Sequence, residues 1–441
     1  MRPTALLLCA CLALPTMASA NELLKVYEQA LQSDASWRAA QYARDAAIEA
    51  RPQARAALLP QLSGNAQTSI QRDEVKQGGT TRDSRNDPYS LSVNLSQPLF
   101  DWAAIQSLRQ SDDQVALAET GYRSAAQDLL LRVSDAYFNV LAATDTLRSA
   151  EAENAAFQRQ LDLAKARFEV GLSAITEVQE AQAGYDLTVA TLIQAQQTLN
   201  TARSALTEIT GTPSAPLARL QDELPLPAPQ PADIEAWVRD ARENNLDVLT
   251  ARLNQEVAET GIRIARAGHL PTVGLTASKS LSQSNGTSIG EIDADRRTDS
   301  ERVALQLSLP IFSGLATQSR VRQALSVNEQ RRAEFEGAQR LTERTTRDAY
   351  LAVLTGAARV KALQQAVLSN TTALEAAETG LQVGTRTFVD VLNAQQQLYA
   401  AQRDYFRSRY DYLLATLRLK AAAGRLGQAD LAEVDRLLVE G

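Results

Sequence analysis

Cysteine and methionine vanish early from this chain: Cys9, Cys11, Met1 and Met17 are the only ones among 441 residues. All four lie in a segment with Arg2 as a short basic start, an unbroken apolar run from Ala5 to Leu14, and small residues at Ala18-Ser19-Ala20. That pattern predicts a secretory signal over residues 1–20, cleaved to leave Asn21 first. A lipoprotein signal ending at Cys11 is the alternative, and the A-x-A site beyond it favours cleavage after Ala20. The mature chain then has no disulfide and no thiolate or thioether for a soft metal. Histidine is reduced to His269, beside Leu270-Pro271, where a structural role outweighs a general base. There is no Gly-Lys-Ser/Thr phosphate loop and no CxxC, so no enzyme, cofactor or metal site is expected. Loss of Arg2 takes the formal charge from −7 to −8, and an acidic chain is a poor nucleic-acid binder. No run of 18 apolar residues follows the signal, so no membrane-spanning helix is expected. An exported chain of this kind is free in the periplasm, secreted, or inserted as a β-barrel.

What is present is a repeat. Leu59-Pro60 recurs as Leu270-Pro271, and Pro98-Leu99-Phe100 as Pro310-Ile311-Phe312. Asp135-Ala136-Tyr137 recurs as Asp348-Ala349-Tyr350, and Val170-Gly171 as Val383-Gly384. The offsets run only from 211 to 213, so the order and spacing of four landmarks are kept. Two tandem copies are expected, 21–211 and 232–424, joined by a proline-rich linker at 212–231 and followed by a C-terminal segment at 425–441. Each copy reads as a helix, a strand, a polar loop, a second strand and a helical hairpin. Pro60, Pro98, Pro271 and Pro310 stand at the strand–helix junctions, where proline breaks the helical path.

The strands alternate with period two. Leu62, Gly64, Ala66 and Ile70 oppose Ser63, Asn65, Gln67 and Ser69; Tyr89, Leu91, Val93 and Leu95 oppose Ser90, Ser92, Asn94 and Ser96. Val273, Leu275 and Ala277 oppose Thr272, Thr276 and Ser278; Val303, Leu305, Leu307 and Leu309 oppose Ala304, Gln306 and Ser308. One apolar face and one small polar face is the pattern of a membrane barrel with a wet lumen; a soluble sandwich is the alternative. Nine residues of strand span roughly 30 Å, somewhat over 20 Å when tilted. Gln71 to Pro88 and Ser282 to Glu301 read as long solvated loops. Four strands cannot close around a channel, and open edges are not tolerated in lipid. Two, three or four copies would close the sheet.

From Asp101 to Phe168 there is no proline and a single glycine, which predicts on the order of 100 Å of helix. Ser313 to Thr379 is comparable, with Asp101 and Ser313 expected as N-caps. Leu129, Val133, Ala136, Val140, Ala143, Leu147, Ala150, Asn154, Phe157, Leu161, Ala164 and Phe168 alternate at spacings of four and three. That is a coiled-coil seam, apolar except at Asn154.

The helices turn at Val170-Gly171-Leu172 and Val383-Gly384-Thr385. Matched segments follow: Ile175-Thr176-Glu177-Val178 and Phe388-Val389-Asp390-Val391. With Phe168-Glu169 before the first turn, Arg386-Thr387 after the second, Gly268-His269-Leu270-Pro271-Thr272 and Ser308-Leu309-Pro310-Ile311, the chain resembles the TolC family over nearly its whole mature length. The resemblance implies an α+β fold: a trimeric 12-stranded transmembrane β-barrel continuous with a long α-helical coiled-coil barrel in the periplasm. It implies an outer-membrane channel-tunnel exporting small molecules or proteins, working with a periplasmic adaptor and an inner-membrane RND or ABC transporter. It also implies a gate around Arg386, with Thr176 and Glu177 as partners, and Asp390 and Asn393 below the tip. Gly171, Leu172, Gly384, Thr385 and Arg386 become the adaptor-contact tips. Phe100, Trp102 and Phe312 are expected as interfacial anchors. Two positions depart from the family pattern. Leu381 stands where a gate tyrosine is usual, and Asn393 where a second acid is usual. A passive porin, or a periplasmic scaffold or adaptor, remains the alternative reading.

Overall fold

The computed structural model describes residues 22–213, 217–286 and 296–439, so the expected signal over 1–20 lies outside the described residues. The chain runs α1 (Glu22–Ser33), α2 (Ala35–Ile48), α3 (Ala50–Ala56), β1 (Gln61–Thr68), β2 (Gln71–Gln77), β3 (Thr80–Phe100), α4 (Trp102–Glu169) and α5 (Ile175–Thr210). It continues β4 (Arg219–Leu220), α6 (Ile234–Asn244), α7 (Leu246–Ala267), β5 (Thr272–Gly286), β6 (Arg296–Ser308), α8 (Ala316–Gln382), α9 (Phe388–Ala422), α10 (Gln428–Asp435) and β7 (Leu438–Val439). The residues gather into two compact units. One holds those up to Arg38, Ala125–Asn245 and those from Glu343 onward; the other holds Ala39–Ser124 and Leu246–Thr342. No described helix is long and apolar enough to cross a membrane.

The unit of Ala39–Ser124 and Leu246–Thr342 carries one antiparallel sheet in the order β1-β3-β5-β6, with β2 paired to the far end of β3. Its registers place Leu62 opposite Leu95, Leu95 opposite Ala277, and Ala277 opposite Val303. Opposed residues share a face, so the apolar positions of all four strands lie together. They are bare: Leu62 is 71 % exposed, Val303 75 %, Leu305 69 % and Leu307 67 %. A contiguous apolar face of this kind is stable only against lipid or another chain. On that same face Lys279 and Glu301 are paired at 2.7 Å.

The expected loop at Gln71–Pro88 is corrected by the structure. Gln71–Gln77 pairs with Thr80–Asn86 around Gly78-Gly79, both at positive φ (59° and 81°), the geometry of a tight hairpin turn. The expected loop at Ser282–Glu301 is shortened too: β5 runs to Gly286 and β6 begins at Arg296. Asp101 caps α4 as expected, accepting from the Ala104 amide at 3.0 Å. Ser313 does not cap α8. Gly314 and Leu315 follow it at positive φ, and the helix starts three residues later than the sequence suggested. Proline before and a left-handed pair after leave Ser313 in a turn, where its hydroxyl meets Thr317 Oγ1 at 3.1 Å.

The other unit is helical. The predicted seam is buried at Leu129, Val133, Ala136, Val140, Ala143, Ala150, Phe157, Leu161 and Ala164. Asn154, its polar exception, donates to Thr188 Oγ1 on α5 at 3.0 Å. Polar clasps join α4 to α9: Tyr410 donates to Asp145 at 2.6 Å and Arg403 to Glu153 at 2.6 Å. Burial, reinforced by the Asp145 charge, pushes the Tyr410 phenol upward. The linker is not a free tether. Tyr412 donates to the Pro227 carbonyl at 2.8 Å, Arg409 to that of Gln221, and Trp237 Nε1 to that of Pro231 at 2.9 Å. The two ends of the described chain meet, with the Leu23 amide donating to Asp435 at 2.9 Å, and β7 pairs with β4 in mid-chain. The single helix expected at the start of each copy is broken. At Asp34 the carboxylate accepts from the Trp37 amide at 2.6 Å and pairs with Arg132 at 2.9 Å. The Arg132 guanidinium holds this carboxyl below the usual range.

Candidate gate at the hairpin tips

Both tips belong to the helical unit and end their first helix in the same way. At the first, the Leu172 amide donates to the Arg167 carbonyl at 2.8 Å and Gly171 takes φ +77°. At the second, the Thr385 amide donates to the Gly380 carbonyl at 2.8 Å and Gly384 takes φ +77°. These six-to-one bonds around a left-handed glycine satisfy the last helical carbonyls.

Beyond the glycine the tips differ. Ala174 precedes α5 in extended conformation with no side-chain cap. Thr387 precedes α9 with a complete capping box: its hydroxyl accepts from the Asp390 amide at 3.2 Å, and Asp390 accepts from the Thr387 amide at 2.8 Å. The backbone bond from Thr387, then its hydroxyl, then the charge of Arg386 hold the Asp390 carboxyl below its usual range. So the acid expected below the mouth is a helix cap within its own chain.

The Arg386 guanidinium makes no hydrogen bond or ion pair with Thr176, Glu177 or any other described residue of its chain, while the Arg386 amide donates to the Gly380 carbonyl at 3.2 Å. Its stem lies across Gly380, where an added Cβ would sit 2.5 Å from Arg386 Cγ. Thr176 is exposed and Glu177 half-buried, with one Glu177 carboxylate oxygen enclosed and without a partner. Asn393 is exposed on α9. Gly171, Leu172, Gly384 and Thr385 are all exposed at the turns. Beneath the tips Phe157, Leu161, Ala164, Ala181, Phe388 and Leu392 form a buried cluster, with Val178, Tyr185 and Leu381 against it. Leu381 thus joins an apolar cluster rather than a polar network. Gly184 makes room for the Phe157 ring, which an added Cβ would approach to 2.9 Å.

In the other unit Phe100 ends β3 opposite Val273, Trp102 opens α4 with the Arg109 guanidinium 5.9 Å from its ring centre, and Phe312 is exposed. Among the described residues no group of three or more His, Cys, Asp or Glu is placed to hold a metal ion.

Sequence reasoning missed Gly380 and Thr387. Both had signals. Gly380 lies one helical turn before Gly384, and Thr387-Phe388-Val389-Asp390 has the spacing of a capping box.

A membrane-ready sheet joined in one chain to long helical hairpins defines an outer-membrane channel subunit. The model of the family described as outer membrane efflux protein matches residues 26–212 and 237–425, and the chain belongs to that family. It is 35% identical to outer membrane protein TolC of Vibrio cholerae over 426 residues, 96% of each chain. It is 33% identical to the alkaline protease secretion protein AprF of Pseudomonas aeruginosa, over 96% of this chain and 89% of the relative. The crystal structure of the CmeC outer membrane channel of Campylobacter jejuni superposes with a TM-score of 0.77 at 18% identity, covering 94% of this chain and 89% of that one. The family is one of channels, not of enzymes, and the protein's place is the outer membrane, extending into the periplasm.

Proposed function

We propose that three copies of this chain assemble into one export duct, a 12-stranded barrel in the outer membrane continuous with a coiled-coil tunnel in the periplasm, with the two tandem copies supplying the walls. The observation that carries this is the sheet: one bare apolar face, one small polar face, and outer edges at β1 and β6 that no described strand of the same chain covers. In lipid both edges must be paired, and sibling chains supply the pairing. The names of the relatives favour efflux and protein secretion over passive uptake. A periplasmic adaptor docks at Gly171, Leu172, Gly384, Thr385 and Arg386 and links the duct to an inner-membrane RND or ABC transporter. Phe100, Trp102 and Phe312 lie at the lipid boundary.

The gate works by what Arg386 lacks within its own chain. With its stem across Gly380 and no hydrogen-bond partner among the described residues, the Arg386 guanidinium can bridge to Thr176 and Glu177 of another hairpin. A wet pair of this kind contributes little, so an adaptor can undo it. Arg386→Ser should raise single-channel conductance in planar bilayers; unchanged conductance removes Arg386 from the gate. Asn393 leaves Asp390 as the sole acid at that level, so block by trivalent cations should strengthen in Asn393→Asp. Deleting the gene should raise drug sensitivity, reduce secreted protein, or both. A stable monomer absent from outer membranes would refute the duct.

A further inference from the structure

The polar face of the sheet carries a single charged side chain among those described. Opposite registers align Arg302, Ser278, Asn94 and Ser63 in one row across β6, β5, β3 and β1. The rows on either side are neutral, with Ser300 and Ser280 beyond it and Ala304 and Thr276 before it. Arg302 makes no ion pair or hydrogen bond with any described residue. Its sequence neighbour Glu301 points to the opposite face, where Lys279 already holds it at 2.7 Å.

Among the described side chains of this face, Arg302 stands as a cation between serine, threonine, asparagine and glutamine. It is exposed and pairs with no carboxylate among the described residues. Its effect is electrostatic. A fixed positive charge in a confined aqueous space raises the local concentration of anions and lowers that of cations.

We propose that Arg302 is a charge-selecting residue of the barrel lumen, drawing anionic solutes through the outer-membrane part of the channel. This rests on the reading of the polar face as lumen. The ligand class is any small anion or acidic substrate in transit, attracted by charge rather than held at a shaped site.

The test reads the local potential, because whole-channel selectivity also reports the narrow mouth. The only cysteines of the chain are Cys9 and Cys11, so Ser278→Cys places a reporter thiol directly opposite Arg302. The folded protein, in outer membranes, is exposed from outside to an anionic and a cationic methanethiosulfonate reagent, with the parent chain as blank. One unit charge at roughly 6 Å in water, screened at ~0.1 M salt, makes the anionic-to-cationic rate ratio fall about threefold in Arg302→Gln. The ratio should return in Arg302→Lys, and the difference should shrink toward unity at about 1 M salt. A thiol that reacts with both reagents but keeps the same ratio in Arg302→Gln overturns the role of Arg302 and leaves the channel intact. A thiol that reacts with neither, in folded protein, refutes the lumen itself.

Discussion

The two hairpin tips share a backbone and differ in chemistry. Each closes on a glycine at φ +77°. Yet the first enters its return helix through an uncapped alanine and an exposed Ile175, whereas the second enters through a capping box and a fully buried Phe388. Arg386, whose guanidinium forms no ion pair among the described residues, sits on the tip with the firmer anchorage. A gate needs one side that holds a charged group in place and another that can move away from it. In the gate proposed above, this comparison makes the tip at Gly384 the fixed side and the tip at Gly171 the yielding one.

The largest expected contrast lies in the first residue of each return helix. Phe388→Ala should destabilise the tip by about 3–5 kcal/mol, because a large buried ring leaves a cavity. Ile175→Ala, at 49 % exposure, should cost under about 1 kcal/mol. Amide exchange along α5 and α9 would measure both, and equal losses would erase the distinction. Gly171→Ala and Gly384→Ala should each cost about 1–2 kcal/mol. At both sites an added Cβ meets nothing within 4 Å, so only the left-handed backbone is penalised. Unequal losses in denaturant unfolding would show that the shared backbone hides a difference in packing.

Capping comes next. Thr387→Ala should lose about 1 kcal/mol, and Ala174→Thr should recover up to a similar amount at the other tip. Exchange rates at the first amides of α5 and α9 should then converge. The smallest effect is with pH. The Asp390 carboxyl is held below its usual range, so its support of the cap is fully present above about pH 4 and is lost as pH falls through the lowered folded value. Exchange at the start of α9 should accelerate only under acid, and Asp390→Asn should abolish that step. Acceleration already at pH 6 would contradict the assignment.

Much of this was legible in the chain because it is written in period. Spacings of four and three from Leu129 to Ala164 announced a seam that is buried, and alternation from Val303 to Leu309 announced a face left bare. Pairings with no periodic signature stayed hidden. The strand pair around Gly78-Gly79 was obscured by its charged residues, Arg72, Asp73, Glu74 and Lys76, which read as a loop because strands are usually inferred from apolar alternation. Ser313 had the right residue type for a cap but stands before a left-handed pair that sequence alone does not disclose. Gly380 was passed over because a glycine inside a helix is usually only tolerated, and the reason for it is a side chain six residues away.

The bond between the Leu23 amide and Asp435 has a consequence for the order of construction. A chain exported from its N-terminus delivers α1 early and the partner of Leu23 more than four hundred residues later. Before then the leading end of α1 is fastened by Glu22, whose carboxylate accepts from the Ala218 amide at 2.5 Å, and proteases reaching the nascent chain should cut α1 more readily than in the finished protein; equal resistance before Asp435 has emerged would mean that the earlier bond suffices. Completion of the clasp therefore reports that the chain as far as Asp435 has arrived.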